Sequence, residues 1–223
     1  VVDVAGLNSI SVKIFTNAAF AVAGMVKFEH DVKLEHKPLI AATMFGVTTP
    51  CVDTARAYLE KRGYEVLIFH ATGAGGKAME SLAASGLIKG VLDLTTTEWC
   101  DELFGGVLTA GPHRLEAAGS HGVPQVVSVG ALDMVNFGEY DSVPARYAER
   151  NLYRHNPTVT LMRTTVEENR KLGEVIADKL NRAESPTALM LPLRGVSMID
   201  AEGQAFYGPE EDAALFDTLR RRV

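Results

Sequence analysis

The residues most suited to chemistry in this sequence are three glycines within four positions, Gly73, Gly75 and Gly76. The apolar run 64–69 before them predicts a buried strand, and the run 77–85 after them, rich in Ala, Met, Leu and Glu, predicts a helix. Glycines at such a junction let the backbone turn tightly and approach a ligand, while the helix start offers unpaired N–H groups and a positive dipole end. The stretch favours binding of an anion or nucleotide; a plain Gly-rich turn is the alternative.

One known phosphate motif, the Walker A loop, fits this stretch only in part. The motif needs Gly-x4-Gly-Lys-Ser/Thr, and its second half is present as Gly76-Lys77. Ala71 stands where the first glycine belongs, and Ala78 stands where the metal-binding hydroxyl belongs. The sequence therefore argues against standard P-loop chemistry. Mg²⁺ could accompany a bound nucleotide, but no ligand set for it can be assigned.

The dinucleotide fingerprint Gly-x-Gly-x-x-Gly/Ala is a second motif to compare. Gly73, Gly75 and Ala78 meet it formally after the predicted strand, and Asp93 lies at a tolerable distance for an acid that binds ribose. Asp93 falls inside a predicted strand rather than plainly at its end, and the motif is weak alone. A domain of an NAD-type oxidoreductase therefore stays as the alternative to an ATP-binding domain.

Polar or Gly-rich turns follow the other predicted strands as well. In a parallel sheet these turns meet at the carboxyl edge, where ligands of open α/β sheets bind. Two arginines add guanidinium groups that suit phosphate or carboxylate, although each threonine alone also suits a helix cap. The residues expected to contact a phosphate-containing ligand are Thr48, Thr72, Gly73, Gly75, Gly76, Lys77, Thr95, Thr96, Thr97, Arg114 and Arg163.

The sequence offers no complete catalytic constellation. The candidates for acid–base chemistry are His70, Glu98 and Asp133. His70 leads into the Gly-rich loop and titrates near neutral pH, but a histidine that only bonds the backbone explains it equally. Glu98 lies at a helix start, where the dipole alone accounts for a carboxylate. The catalytic residues therefore stay unassigned.

Length and charge narrow the class of protein. A chain of 223 residues accommodates one large or two small domains. A net charge of −6 argues against nucleic acid as a partner. Cys51 and Cys100 have no metal-binding spacing and indicate free thiols in a reducing, cytoplasmic compartment, and no metal site is predicted. The first residues lack a signal-peptide pattern and an initiator Met, so we expect the later part of a longer protein.

Residues 1–37 form the first predicted region, an N-terminal apolar helix and a surface linker. Residues 1–6 predict a short strand or linker, and a helix capped by Asn8 or Ser9 is predicted to about Val26. Polar residues such as Lys13 interrupt it, which favours a core or subunit-interface helix over a membrane span. We therefore expect a homo-oligomer and no membrane partner.

Residues 38–223 form the second region, a predicted ligand-binding domain. Continuously apolar strands alternate with helices here, which predicts an α/β fold: a doubly wound, mainly parallel open sheet with helices on both faces, Rossmann-like or flavodoxin-like. Residues 133–158 lack periodicity and predict a long functional or partner-binding loop. The remaining strands are predicted at 39–45, 89–94, 124–129 and 188–193, and the main helices at about 50–61, 165–181 and 210–222.

Several runs of six or more residues resemble the uncharacterised family related to the tomato mosaic virus resistance protein, and the resemblance covers essentially the whole chain. The runs that carry it are 3–8, 69–76, 92–98 and 130–138, together with 155–157 and 162–165.

The resemblance implies a two-subdomain α/β module described as ATP-binding, of which this chain matches the later subdomain. It thus implies ATP as the ligand and the earlier subdomain as a partner. In plants the module is fused to a barrel domain, and the plant member is a virus-resistance factor, a role particular to that protein. The resemblance carries no settled reaction.

Overall fold

A computed structural model of the chain describes residues 7–29 and 37–223, which fall into two units, Val1–His36 and Lys37–Val223. The predicted strand or linker at residues 1–6 and residues 30–36 of the predicted surface linker lie outside the described residues.

Within residues 7–29, the first unit has the predicted helix, α1 (Ser9–Lys27). Asn8 caps it: its side-chain oxygen accepts hydrogen bonds from the backbone N–H groups of Ile10 and Ser11. The backbone N–H of Asn8 donates in turn to the Ser11 hydroxyl, which completes a capping box. None of its residues is buried. Among the described residues α1 has the length and apolar composition to cross a membrane, properties that core helices and signal sequences share, so they assign no location.

The second unit contains the alternating elements that the sequence predicts, with ends that differ by a few residues. Its helices are α2 (Thr49–Glu60), α3 (Ala74–Ala84), α4 (Glu98–Phe104), α5 (Ala117–Ser120), α6 (Val166–Asn181) and α7 (Pro209–Arg222). Its strands are β1 (Leu39–Met44), β2 (Glu65–His70), β3 (Gly90–Thr95), β4 (Gln125–Gly130), β5 (Met134–Phe137), β6 (Leu152–Asn156), β7 (Val159–Arg163) and β8 (Thr187–Met190).

Five strands form a parallel sheet in the order β2-β1-β3-β4-β8. This is the flavodoxin-like order, in which the chain reverses its direction of winding between β1 and β3. Helices flank the sheet, so the prediction of a mainly parallel, doubly wound α/β fold is confirmed.

Alternate residues of the strands face opposite layers of helices. On one face, Ala41 and Val91 pack with Met79 of α3 and Ala118 of α5. The same face continues over β4, where Val127 and Val129 belong to a core with residues of α4, α6 and α7. On the other face, Ala42 and Leu94 pack with Val52 of α2. Helices α3 to α7 therefore pack on one face of the main sheet, whereas α2 covers part of the other face.

Beside α2, this second face has an open apolar groove of about 1240 Å³. Its floor consists of apolar side chains from four strands, Ile40, Leu92, Val126, Ala188 and Met190. Met190 is 55% exposed, whereas parallel strands are ordinarily covered on both faces.

A second sheet corrects the prediction of a long structureless loop at 133–158. β5, β7 and β6 form an antiparallel sheet in that order, with residues 156–159 turning the chain between β6 and β7. All four residues of β5 are buried, so they show no alternation of polar and apolar side chains, and β6 is almost wholly exposed and polar. Neither strand carries the period-2 pattern by which strands are recognised.

The two faces of the main sheet predict different responses to substitution. We expect Met190→Ser to change the free energy of unfolding by less than about 0.5 kcal/mol, because the side chain is already in solvent. Leu172→Ala removes a fully buried side chain of α6 and is expected to cost about 2–5 kcal/mol. Urea denaturation of both variants of the full chain measures the difference; equal losses would contradict the open face.

Candidate functional site

The loops that follow β1, β2, β3 and β4 meet at the carboxyl edge of the main sheet. At the reversal between β1 and β3, the hydroxyls of Thr48 and Thr95 lie 2.8 Å apart, and Thr43 of β1 bonds Asp93 of β3 at 2.7 Å. The predicted loops thus converge as expected. Which of their groups remain available to a ligand depends on the contacts each one makes.

The Gly-rich loop already holds an anion, the carboxylate of Glu98. The backbone N–H groups of Gly73 and Gly76 donate to Glu98 Oε1 at 2.7 and 3.1 Å, and Glu98 is 1% exposed. A Cβ on Gly76 would lie 2.3 Å from this carboxylate, so the glycine is needed for the approach. The start of α3 binds a negative group as the sequence suggests, but the group belongs to the protein itself.

Gly75 serves the fold of the same turn. A Cβ at this position would lie 1.8 Å from the carbonyl oxygen of His70, closer than any side chain can approach. Its lack of a side chain is therefore explained by the turn from β2 into α3. A larger residue here would disrupt the loop whether or not a ligand binds.

Arg114 is wholly buried and binds three carboxylates. Its guanidinium contacts Glu98 at 2.7 Å, both oxygens of Asp93 at 2.5 and 2.7 Å, and Glu80 at 3.2 Å. Burial alone would lower the pKa of Arg114, but Asp93, Glu98 and Glu80 together raise it well above its usual range. Arg114 is thus part of an internal ion network rather than an open clamp for an external anion.

The three consecutive threonines after β3 are fully buried. The Thr95 hydroxyl meets Thr48 and the Thr43 carbonyl, that of Thr96 donates to the Ser128 carbonyl at 3.1 Å, and that of Thr97 lies 3.5 Å from the Met134 carbonyl. All three threonines are 0% exposed, and their predicted contact with a ligand stays a prediction. Their hydroxyls donate hydrogen bonds to buried backbone carbonyl groups. The sequence pattern gives no sign of these carbonyl groups.

Arg163 is also engaged inside the domain. It contacts Asp200 at 3.0 Å, Asp212 at 3.2 Å and the carbonyl of Gly208 at 3.2 Å. The guanidinium is therefore committed to two carboxylates. As for Arg114, the structure shows the guanidinium with internal partners, and binding of an outside anion by it stays a prediction.

Four of the predicted residues keep contact with solvent: Lys77 and His70 are exposed, and Thr72 and Gly75 are partly exposed. Thr48 is buried but lies at the wall of a cavity. The ring of His70 meets the edge of Phe45 at a centroid distance of 5.5 Å. Binding of a ligand by these residues stays a prediction.

The cavity beside Thr48 lies at the same carboxyl edge and has a volume of about 250 Å³. It is bounded by the loop after β1, the first turn of α2, the ends of β3 and β4, and the loop after β8. Its lining residues are Val47, Thr48, Pro50, Cys51, Leu94, Ser128, Gly130, Pro192, Gly195, Val196, Ser197 and Met198. Sequence reasoning found Thr48 but missed Ser128 and Ser197, which carry no motif and meet only through the fold.

Asp133, a predicted acid–base candidate, lies next to this cavity. It is 0% exposed, and the Ser197 hydroxyl donates to its Oδ2 at 2.7 Å. Burial raises the pKa of Asp133 to about 7, although the Ser197 bond and the charge of Arg163 oppose the shift. Among the described residues, no group of three or more His, Cys, Asp or Glu side chains is arranged to hold a metal ion.

Removing the Arg114 guanidinium should destabilise the domain strongly. Arg114→Met leaves Asp93, Glu98 and Glu80 without their cation, and breaking such a buried pair costs about 3–5 kcal/mol. The loss should be smaller at low pH, where the carboxyls take up protons. Urea denaturation measures it, with Arg170→Met as the control, because the exposed Arg170–Glu167 pair should contribute less than about 1 kcal/mol.

Stability should also fall as pH rises through neutrality. Burial raises the pKa of Asp212 to about 7, so the folded state keeps a proton that the unfolded state releases at lower pH. This contribution is complete below the unfolded pKa and is lost as pH rises through 7. Asp212→Asn should reduce, without abolishing, the fall of the unfolding midpoint between about pH 5 and pH 7.5, since Asp133 contributes a fall of the same sign. The exposed Asp217→Asn on the same helix should leave it unchanged.

Two family descriptions match the sequence. The C-terminal domain of the Uncharacterised protein family (UPF0261) matches residues 37–223, and the N-terminal domain of the same family matches residues 1–31. α1 thus falls within the match to the N-terminal domain.

Related proteins occur in bacteria and plants. A UPF0261 protein of Clostridium tetani is 65% identical over 223 residues, which is 100% of this chain and 55% of the relative. A UPF0261 protein of Rhizobium meliloti is 53% identical over 100% of this chain and 56% of its own length. The ToMV resistance protein Tm-1(GCR237) of Solanum lycopersicum is 48% identical over 99% of this chain and 30% of its own length. The chain therefore spans about half the length of these bacterial relatives.

Proposed function

The chain belongs to the uncharacterised family UPF0261, and we propose that its C-terminal domain binds a small phosphate-containing ligand of the nucleotide type. The proposed site is the cavity beside Thr48, at the carboxyl edge of the main sheet. The observation that carries the proposal is its position: it opens at the loop after β1, next to the β1/β3 reversal where flavodoxin-like sheets bind their ligands.

The lining of the cavity suits an anion. Thr48, Ser128 and Ser197 bring hydroxyls, and α2 begins at the cavity wall, where Cys51 of its first turn carries a backbone N–H and Pro50 carries none. None of the lining residues is an acid. Arg194 is exposed and lies in the loop between Pro192 and Gly195, which places a positive charge near the rim.

The volume sets how much of a ligand can enter. At about 250 Å³ the cavity is below the ~300–1,000 Å³ of pockets that enclose a drug-sized ligand. It accommodates a phosphoryl group with part of a sugar, and the base of a nucleotide would extend outside. ATP, with or without Mg²⁺, is the ligand that the family resemblance favours.

An NAD-type oxidoreductase and a non-enzymatic assembly module are the two alternative functions. An NAD-type oxidoreductase would use the same edge of the sheet but requires the nicotinamide cofactor. An assembly module is favoured by the exposed apolar α1 and by the open groove beside α2, each within its own unit. Homo-oligomerisation and a cytoplasmic location stay predictions.

Calorimetric titration of the full chain with ATP, NAD and inorganic phosphate tests the proposal. Cys51→Phe should block the cavity, and Arg194→Ala should remove the charge near its rim. Each should weaken ATP binding about tenfold or more, the effect of losing a charge-assisted hydrogen bond or a steric fit. Lys77→Ala at the Gly-rich loop is the matched control and should leave the affinity unchanged.

The outcomes separate the three functions. Weakening by Lys77→Ala alone would move the site to the start of α3 and contradict the cavity. Preference for NAD over ATP would favour the oxidoreductase. Absence of binding by all three compounds, with a stable oligomer seen by light scattering, would overturn the proposal in favour of the assembly module.

A further inference from the structure

We infer that Asp133 is a positioning residue of the cavity: its carboxyl sets the direction of the Ser197 hydroxyl, so that binding of an anion takes up one proton. This inference rests on the proposed function, because it concerns the same cavity. It adds that the site prefers a multiply charged anion below neutral pH and releases it above neutral pH.

The geometry places a single hydroxyl between the acid and the cavity. Ser197 lines the cavity and donates its proton to Asp133 Oδ2 at 2.7 Å, while Asp133 itself is 0% exposed. The other oxygen, Oδ1, has no hydrogen-bond partner among the residues the structure describes. A buried carboxylate with one oxygen unbonded is costly in its charged form.

The groups that face Asp133 leave it short of positive charge. Arg163 of β7 is the nearby cation, and it is bonded to Asp200 at 3.0 Å and Asp212 at 3.2 Å. Asp200, in the loop after Ser197, also repels the charge on Asp133, and the buried thiol of Cys100 in α4 is another neighbour. The guanidinium is therefore paired with two other carboxyls and acts on Asp133 only through its charge, and burial raises the pKa of Asp133 to about 7.

The two protonation states present different hydroxyls to the cavity. When Asp133 is ionised, the Ser197 proton points to it, and the cavity meets an oxygen lone pair in front of a buried negative charge. When Asp133 is protonated, its own O–H can donate to Ser197 Oγ, and the Ser197 proton is free to turn into the cavity. An anion binds the second state and is repelled by the first, so its binding draws a proton onto Asp133.

A purely structural role for Ser197 predicts that anion affinity is independent of pH. The backbone N–H of Ile199 donates to Ser197 Oγ at 3.2 Å, which closes a turn in the loop after β8. If that were its whole role, anion affinity would not change with pH. The pH profile of affinity therefore distinguishes positioning from structure.

Titration of the full chain with sulfate, followed by NMR at pH 6.0 and pH 8.5, tests the inference. Sulfate stays a dianion over this range, so any proton taken up belongs to the protein. Because apparent affinity scales with the fraction of the competent state, we expect binding to weaken about 30-fold from pH 6.0 to pH 8.5 for an acid that titrates near 7. Asp133→Asn, whose amide can donate to Ser197 as the protonated acid does, should bind equally at both pH values.

Two further variants complete the test. Asp212→Asn removes another carboxyl of the cluster that has a raised pKa but no contact with Ser197, and it should keep the pH dependence. Ser197→Ala should bind sulfate weakly at pH 6.0. A pH-independent wild type, or a pH dependence that survives Asp133→Asn, would overturn the inference alone. Absence of sulfate binding at both pH values would overturn the proposed cavity together with the inference.

Discussion

The buried guanidinium of Arg114 is the interaction on which the carboxyl edge of this domain depends. It joins Asp93 of β3, Glu98 of α4 and Glu80 of α3, and so fixes a strand and two helices to one another. Glu80 in turn accepts the backbone N–H groups of Leu115 and Ala117 at 2.7 Å. Leu115 has a φ of 72°, a costly conformation for this residue type, which these bonds help to hold. Because every member is paired, the network fixes the register of the edge.

A second cluster, around Arg163, also joins carboxyls to one guanidinium but pairs them less completely. Arg163 forms ion pairs with Asp200 and Asp212, whereas its charge acts on Asp133 only at a distance. Asp93 engages Arg114 through both oxygens, whereas Asp133 keeps one oxygen unbonded among the described residues. The first cluster therefore serves as a rigid joint, and the second retains titratable protons near neutrality. The second borders the cavity, because Ser197 both lines it and donates to Asp133.

The sequence predicted the main sheet well because its strands are continuous apolar runs and its helices carry clear periodicity and caps. It failed for β5 and β6, whose burial gives no alternation. At the site, it recognised the N–H donors of Gly73 and Gly76 but not that their acceptor is Glu98, more than 20 positions further along the chain. Similarly, Ser197 meets Asp133 across 64 positions. Local sequence patterns show which groups can bind an anion. Whether that anion is a side chain of the protein itself depends on contacts between residues far apart in the sequence.

Glu98 also determines whether an anion from solution can reach the N–H groups of the Gly-rich loop. A tethered carboxylate held at 2.7 Å from Gly73 is always present beside its donors, and at 1% exposure it is itself shut off from solvent. Free phosphate would have to displace this buried carboxylate to reach the N–H groups. The loop with the most ligand-like sequence is consequently insulated from dissolved anions, and a neighbouring cavity without a motif is the more accessible place for them.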